Sequence, residues 1–273
     1  MNTFEFNFKI NLVMKYLSKS MVFLMGMVIL ACGQEKKKAE SENATEETSS
    51  ITLTKAPSSP SFLDATLTKK EVSVVANDSM YSVDYSFEVM NYELGVQTED
   101  ATTRGIANSG KGQHIHFIVN NGPYSAHYMP GMSNQLEAGN YVVLAFLSRS
   151  YHESVKGAGA YAIENLTVGD VEPTAVDLNA PHLFYSRPKG TYSGTDTEKL
   201  MLDFYLLNTT LSPEGNKVKA TINGTEFIID EWAPYYIEGL GKGEVSLKLE
   251  LIDAQGANIP GPFNVVERKV ILE

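Results

Sequence analysis

LEAGNYVVLAFL (residues 136–147) and LGKGEVSLKLEL (residues 240–251) share one pattern, in which a glycine precedes a run of alternating side chains. In the second stretch, apolar residues alternate with Ser, Lys and Glu. That alternation is typical of a strand with one face on a core and the other in water. Neither stretch has the spacing of an amphipathic helix. Both are therefore predicted to be β-strands that occupy the same place in two related modules.

The repeat continues on the N-terminal side of these strands. YSFEVMN (85–91) corresponds to LDFYLLN (202–208), and HIHFIVNNGPY (114–124) corresponds to KVKATINGTEF (217–227). Matching order and spacing indicate two tandem copies of one β module. Short strands separated by regular turn signals are typical of a sandwich, although a barrel of similar size is an alternative.

The predicted fold class is therefore all-β, with two tandem immunoglobulin-like β-sandwich repeats. The first domain is expected to occupy residues 51–170 and to carry an inserted loop at 97–112. The second domain is expected at residues 181–273.

The two copies differ on the outward face of their strands. Where the second copy has Ser246, Lys248 and Glu250, the first has Val142, Leu144 and Phe146. Lys217 and Lys219 likewise correspond to His114 and His116. An apolar outer face can be covered by the inserted loop, packed on the partner domain, or used to bind a ligand.

Histidines in the first copy form a candidate metal site for copper or zinc. His114 and His116 leave the same face of one strand because they are two residues apart. His127 and His152 follow in nearby loops, and the site predicted from these residues is His114, His116, His127 and His152. Imidazole suits both metals, and the nearby Met129 and Met132 would favour copper. The alternative is that the histidines of the strand are solvated and bind nothing.

The loop that follows residue 147 is a second candidate site. A guanidinium matches carboxylate or phosphate, and hydroxyls add neutral donors. The ligand-binding residues predicted here are Phe146, Ser148, Arg149, Ser150, His152 and Lys156. The corresponding loop of the second copy, residues 252–257, has none of these polar groups. The alternative is an ordinary turn in which Arg149 pairs with a carboxylate.

The N-terminal region resembles a bacterial lipoprotein signal peptide. A basic segment precedes MVFLMGMVIL (21–30), which is too short to span a bilayer as a helix. ILACG (29–33) resembles a lipobox, and this resemblance implies cleavage after residue 31 and acylation of Cys32. Residues 32–50 then form a flexible linker to a membrane anchor. The alternative is a buried segment with an incidental cysteine, and either Met1 or Met14 can be the start.

Charge and motifs reduce the number of functional classes to consider. A net charge of −11 argues against nucleic acid as a partner. The sequence has no nucleophile-elbow motif, no His-Glu-x-x-His and no phosphate-binding loop of the Walker type. We therefore expect no enzyme, although an enzyme acting on an envelope polymer is a weaker alternative.

Three phrases, HIHFIVNNGPYSAHY, LEAGNYVVLAFLSRSYHES and YSRPKGTY, resemble a group of two-domain lipoproteins of the Bacteroidota. Some members are labelled phosphopeptide-binding, which implies an anionic ligand. The expectation is a non-catalytic binding or adhesion lipoprotein of the cell envelope, on the outer rather than the inner membrane. Its first domain would recognise a protein, peptide or glycan. The alternative is a metal-binding lipoprotein that uses the histidines.

Overall fold

The alternating patterns of the sequence form strands in the computed structural model, which describes residues 50–273. These residues belong to one compact unit. The predicted signal peptide (1–31), Cys32 and the linker up to residue 49 lie outside the described residues. No helix within 50–273 is long and apolar enough to cross a bilayer.

The strands are, in chain order, β1 (Thr52–Lys55), β2 (Thr66–Asn77), β3 (Met80–Met90), β4 (His114–Val119), β5 (Ser125–His127), β6 (Gly131–Leu136), β7 (Gly139–Ser148), β8 (Tyr161–Val168), β9 (His182–Arg187), β10 (Thr191–Tyr192), β11 (Lys199–Leu207), β12 (Lys217–Ile222), β13 (Thr225–Ile229), β14 (Tyr235–Glu238), β15 (Gly243–Ile252) and β16 (Val265–Leu272). Two short 3-10 helices cover Ala101–Thr103 and Gly194–Thr197.

Four sheets form two sandwiches. In the first sandwich, the sheet β2-β3-β6 faces the sheet β5-β4-β7-β8. In the second, the sheet β1-β14-β11-β9 faces the sheet β10-β16-β15-β12-β13. The predicted all-β fold of two tandem immunoglobulin-like sandwiches is confirmed.

The internal repeat is visible in the strand order. β4, β7 and β8 neighbour each other in the first sandwich as β12, β15 and β16 do in the second. The hairpin turns match as well. The side-chain oxygen of Asn120 accepts the Val142 N–H at 2.8 Å, and that of Asn223 accepts the Ser246 N–H at 2.8 Å. Equivalent positions of the two copies can therefore be compared residue by residue.

One domain boundary differs from the prediction. Residues 52–55 were expected in the first domain, but this strand pairs with β14 of the second sandwich, where Thr52 lies opposite Glu238. The inserted loop also contributes to this region, because Ile106 packs with Ala56 and Tyr236 in a small buried cluster. The N-terminal strand and the loop thus tie the two sandwiches together.

The apolar outer face of the first sandwich is covered by the second sandwich. Val142, Leu144 and Phe146 pack against Phe184 and Tyr205, which lie on the facing sheet of the second sandwich. The rings of Phe146 and Tyr205 are stacked with centroids 4.6 Å apart. Of the three fates predicted for this face, packing on the partner domain is the one observed.

This packing predicts that Phe146→Ala destabilises the protein by about 3–5 kcal/mol, because it leaves a cavity between the sandwiches. Ile228→Ala is the matched control, since Ile228 lies on an outer strand and is 56% exposed. Its effect should stay within about 0.5 kcal/mol. Urea unfolding measures both, and equal stability of the two variants would contradict the packing.

Candidate metal centre

Three of the predicted histidines converge on one point. His114 and His116 leave the same face of β4, and His152 comes from the turn after β7. His114 Nε2 lies 2.9 Å from His116 Nε2 and 3.1 Å from His152 Nδ1. All three nitrogens lie within 4.8 Å of one another. A single ion can therefore bind all three imidazoles.

The cluster is buried at the contact between the two sandwiches. His114 and His116 have no exposed surface, whereas His152 is partly exposed. The His116 ring stacks on the Tyr124 ring with centroids 3.6 Å apart and meets the edge of Phe146 at 5.2 Å. His114 and His116 are thus enclosed rather than solvated, because the second sandwich lies over their face of the sheet.

His152 adopts a backbone conformation that side chains rarely take. Its φ is +70°, in the left-handed region. The equivalent residue of the second copy is Gly256, with φ +84°, and both turns close with the same backbone hydrogen bond three residues back. A left-handed non-glycine residue costs roughly 1 kcal/mol. The first copy therefore tolerates strain at the residue that brings the third imidazole to the cluster.

The tautomer of His114 is fixed by the inserted loop. Its Nδ1 lies 2.8 Å from the Gly112 carbonyl oxygen, which can only accept, so Nδ1 carries the proton. Nε2 then presents a bare lone pair to the cluster. Gly112 has φ +87°, and a Cβ there would come within 2.4 Å of the Val96 carbonyl oxygen. Only glycine therefore fits at position 112, where the backbone carbonyl accepts from His114.

His116 also has a partner on the ring nitrogen that faces away from the cluster. Its Nδ1 lies 3.1 Å from the Ser186 hydroxyl, which belongs to β9 of the second sandwich. Partners of this kind orient imidazole ligands in metal sites. The Tyr124 hydroxyl lies 3.2 Å from His152 Nδ1, the nitrogen that faces the cluster, and so lies beside the candidate metal position. The second sandwich therefore contributes to the surroundings of the cluster.

Burial keeps the cluster neutral. It lowers the pKa of His114 from 6.5 to about 4, and it lowers the pKa of His116 and His152 well below 6.5. The positive charge of Arg187 acts in the same direction on all three residues. Neutral imidazole is the form that binds metals. At neutral pH all three side chains are therefore uncharged.

His127 does not join the cluster, which corrects the four-histidine prediction. It lies opposite Ile115, so its side chain leaves the other face of the sheet. Its Nε2 lies 2.7 Å from the Ser125 hydroxyl. The two methionines are also elsewhere, since Met129 is 69% exposed and Met132 packs in the core of the first sandwich.

The polar residues of the predicted anion site after residue 147 form contacts within the protein. Arg149 is buried and paired with Glu153 at 3.1 Å, and its guanidinium also donates to the carbonyl oxygens of Ser154 and Pro60. Ser148 and Ser150 have no exposed surface. Their hydroxyls bond to the backbone of the same loop and of Thr98. These contacts stabilise the fold, and Arg149 and Lys156 also line a surface pocket together with Glu153.

The remaining members of that predicted site are used in packing. Phe146 has no exposed surface and lies under the second sandwich. Lys156 pairs with the fully buried Asp203, with Nζ 2.7 Å from Oδ1. Of the residues predicted for an anion, only His152 takes part in the candidate centre.

Several residues around the cluster were not predicted from the sequence. Tyr124, Ser186 and Gly112 contact the histidines, and Arg187 and Lys189 lie beside Tyr124. Comparison of the two copies could identify the histidines from the sequence, because they differ between the copies. It could not identify the residues that contact them. Ser186 and Arg187 reach the site only because the second sandwich docks there.

Comparison with known proteins does not assign the chain to a family. No protein-family model matches the sequence, and no curated protein matches it. A solved structure of fibronectin(III)-like modules of Clostridium thermocellum CbhA is similar, with 13% identity and a TM-score of 0.27 over 74% of this chain and 94% of that one. The mixed-linkage glucan utilization locus protein SGBP-B of Bacteroides ovatus, solved with a mixed-linkage heptasaccharide, has 8% identity and a TM-score of 0.20. That match covers 89% of this chain and 69% of the other. Scores this low carry no weight on what this chain binds.

Proposed function

We propose that this protein binds a divalent transition metal, zinc or copper, through His114, His116 and His152. The observation that carries the proposal is the convergence of three neutral imidazole nitrogens in a buried site. In such a site lone pairs that face each other repel unless a proton or a metal lies between them. The His114 lone pair is fixed, and two further ring nitrogens lie 2.9 and 3.1 Å from it.

The spacing can be compared with that of a metal site. With Zn–N bonds of about 2.0–2.1 Å, tetrahedral ligands are roughly 3.3–3.4 Å apart. The two pairs that include His114 therefore need to separate by a few tenths of an ångström, while all three nitrogens lie within 4.8 Å of one another. Nitrogen ligands alone suit zinc and copper. Three protein ligands also leave a coordination position open, as in zinc sites that bind water or a ligand.

Comparison of the copies supports a gained function in the first. At the positions of His114, His116 and His152 the second copy has Lys217, Lys219 and Gly256. Lys219 is used in an ion pair with Glu250. The three candidate ligands therefore stand where the second copy has residues that cannot form a histidine site.

We propose binding rather than catalysis as the role of the centre. Glu153, which follows His152, is held in an ion pair with Arg149, and Asp203, which lies opposite Arg187, is paired with Lys156. Neither carboxylate hydrogen-bonds to a histidine of the cluster, where a general base would be expected within reach of the metal-bound water. The proposal thus favours a site that holds a metal and any ligand it coordinates.

The test compares two histidine variants by isothermal titration with zinc and with copper, on protein purified without a histidine tag. His152→Gly should bind at least about 100-fold more weakly than wild type, because one of three ligands is lost. Its fold should stay intact, since glycine takes the left-handed conformation freely. His127→Ala is the matched control and should bind as wild type does.

Two outcomes contradict this proposal. One is a wild-type affinity no tighter than micromolar for both metals. The other is equal weakening by the two variants, which would show that the ligands lie outside the cluster.

We also propose that the protein is held on the cell envelope by acyl chains on Cys32, with the two sandwiches beyond a linker. The support is the short apolar run followed by ILACG at residues 29–33. Several acyl chains give stable membrane binding where one is marginal.

Cys32→Ser should abolish palmitate labelling and release the protein from the membrane fraction, because the acylated thiol is lost. Metal binding by the released protein should be unchanged. Continued labelling and membrane recovery of this variant would show that the anchor is something else.

A further inference from the structure

Arg187 is a buried cation whose contacts are with aromatic rings rather than with an anion. It is only 7% exposed, and its guanidinium has no hydrogen-bond or ion-pair partner in the part of the chain that the structure describes. It lies over the rings of Tyr124 and Tyr192, with Cζ 6.0 and 5.5 Å from their centroids. Arginine is rarely buried to this extent unless it is paired.

The two other buried arginines show how this protein normally pairs such a charge. Arg104 binds Asp100, and Arg149 binds Glu153, in each case with further backbone acceptors. Arg104 and Arg149 are 6% and 7% exposed, so their burial matches that of Arg187. The difference is therefore the missing anion and not the degree of burial.

Two more cations lie beside Arg187, although the chain as a whole carries a charge of −11. Lys189 is partly buried, with Nζ 4.2 Å from the Tyr124 centroid, and burial together with Arg187 and Arg268 lowers its pKa. Arg268 donates to the carbonyl oxygens of Asn121 and Gly122. Within residues 50–273 none of these three cations forms a salt bridge, so the region is electropositive and uncompensated.

This region adjoins the histidine cluster. The ring of Tyr124 contacts His116 on one side at 3.6 Å and also lies against Arg187 and Lys189. The charge of Arg187 is felt by all three histidines, since it lowers the pKa of each. His152 and Lys189 are partly exposed, so the site reaches solvent on their side. A bound dication would add further positive charge here.

We propose that an oxyanion, a carboxylate or phosphate group, occupies the open position of the centre and bridges the metal to Arg187, with Lys189 adding charge. This inference rests on the proposed metal site. One oxygen would bind the metal and another would accept from the guanidinium, whose planar fork matches either group. The three imidazoles are neutral and Arg187 has no ion-pair partner among residues 50–273. The anion would therefore supply the negative charge that balances the metal and the guanidinium.

The experiment titrates inorganic phosphate and, separately, acetate into zinc-loaded and chelator-treated protein at fixed ionic strength. The zinc-loaded wild type should bind at least one of them, and the comparison distinguishes phosphate from carboxylate. Arg187→Gln should bind that anion at least 10-fold more weakly, while it still binds zinc in anion-free buffer as tightly as wild type or tighter. Arg187→Lys should recover part of the affinity, because it restores the charge without the fork.

Lys269→Gln is the matched control, since Lys269 is an exposed cation on β16, paired with Glu244. It should bind the anion as wild type does. Circular dichroism checks each fold, and if Arg187→Gln does not fold, the comparison of wild type with Arg187→Lys carries the test.

The outcomes separate the two proposals. Normal zinc binding without binding of either anion, or with equal anion binding in wild type and the folded Arg187 variants, overturns the bridging anion and leaves the metal site standing. Failure to bind zinc overturns the metal site and the bridge together. Anion binding that is the same in chelator-treated protein overturns the bridge, because the metal then plays no part.

Discussion

Contact between the two sandwiches is the interaction on which the rest of the structure depends. The apolar outer face of β4, β7 and β8 is removed from water by β9 and β11, through side chains such as Phe146, Phe184 and Tyr205. Polar bonds cross the same contact, since Asn121 donates to the carbonyl oxygen of Leu183 and accepts from the Tyr185 N–H. This contact encloses His116 and brings Ser186 to it, so the candidate centre exists only in the docked form.

Duplication explains how such a site can arise without loss of the fold. The second copy has an ion pair between Lys219 and the buried Glu250 where the first copy pairs His116 with Phe146. Strands and turns are shared by the two copies, while the outer face and the residue at one turn differ between them. The left-handed His152 is a local cost that the second copy avoids with Gly256.

Sequence alternation was sufficient to predict the strands, their inward faces and the tandem repeat, because burial of one face requires a period of two. It also predicted the pairing of His114 with His116. It could not choose between His127 and His152, because that choice depends on the strand register that sets His127 opposite Ile115. The contacts of the predicted anion loop were out of reach for a similar reason. Whether Arg149 is free or paired depends on Glu153 and on the backbone of the segment near Pro60, which only the folded chain brings together.

Partners from the second sandwich were beyond sequence reasoning altogether. Ser186 and Arg187 are separated from the histidine strand by about 70 residues, and the bond between His116 and Ser186 spans 70 positions. Nothing local marks these residues as part of a site. Their role follows from the docking of the two sandwiches. That docking depends on the whole outer face of the first sandwich, and on the inserted loop and the N-terminal strand, which contact the second sandwich.

X-ray absorption at the zinc edge of stoichiometrically loaded protein tests the central claim most directly. The account predicts three imidazole nitrogens at about 2.0 Å and one non-protein oxygen ligand, with no sulfur. It also predicts that the three-imidazole signal is the same in wild type and in protein lacking the side chain of His127. A spectrum with sulfur ligands, or with fewer than three imidazoles, would contradict the assignment of His114, His116 and His152 as the metal centre.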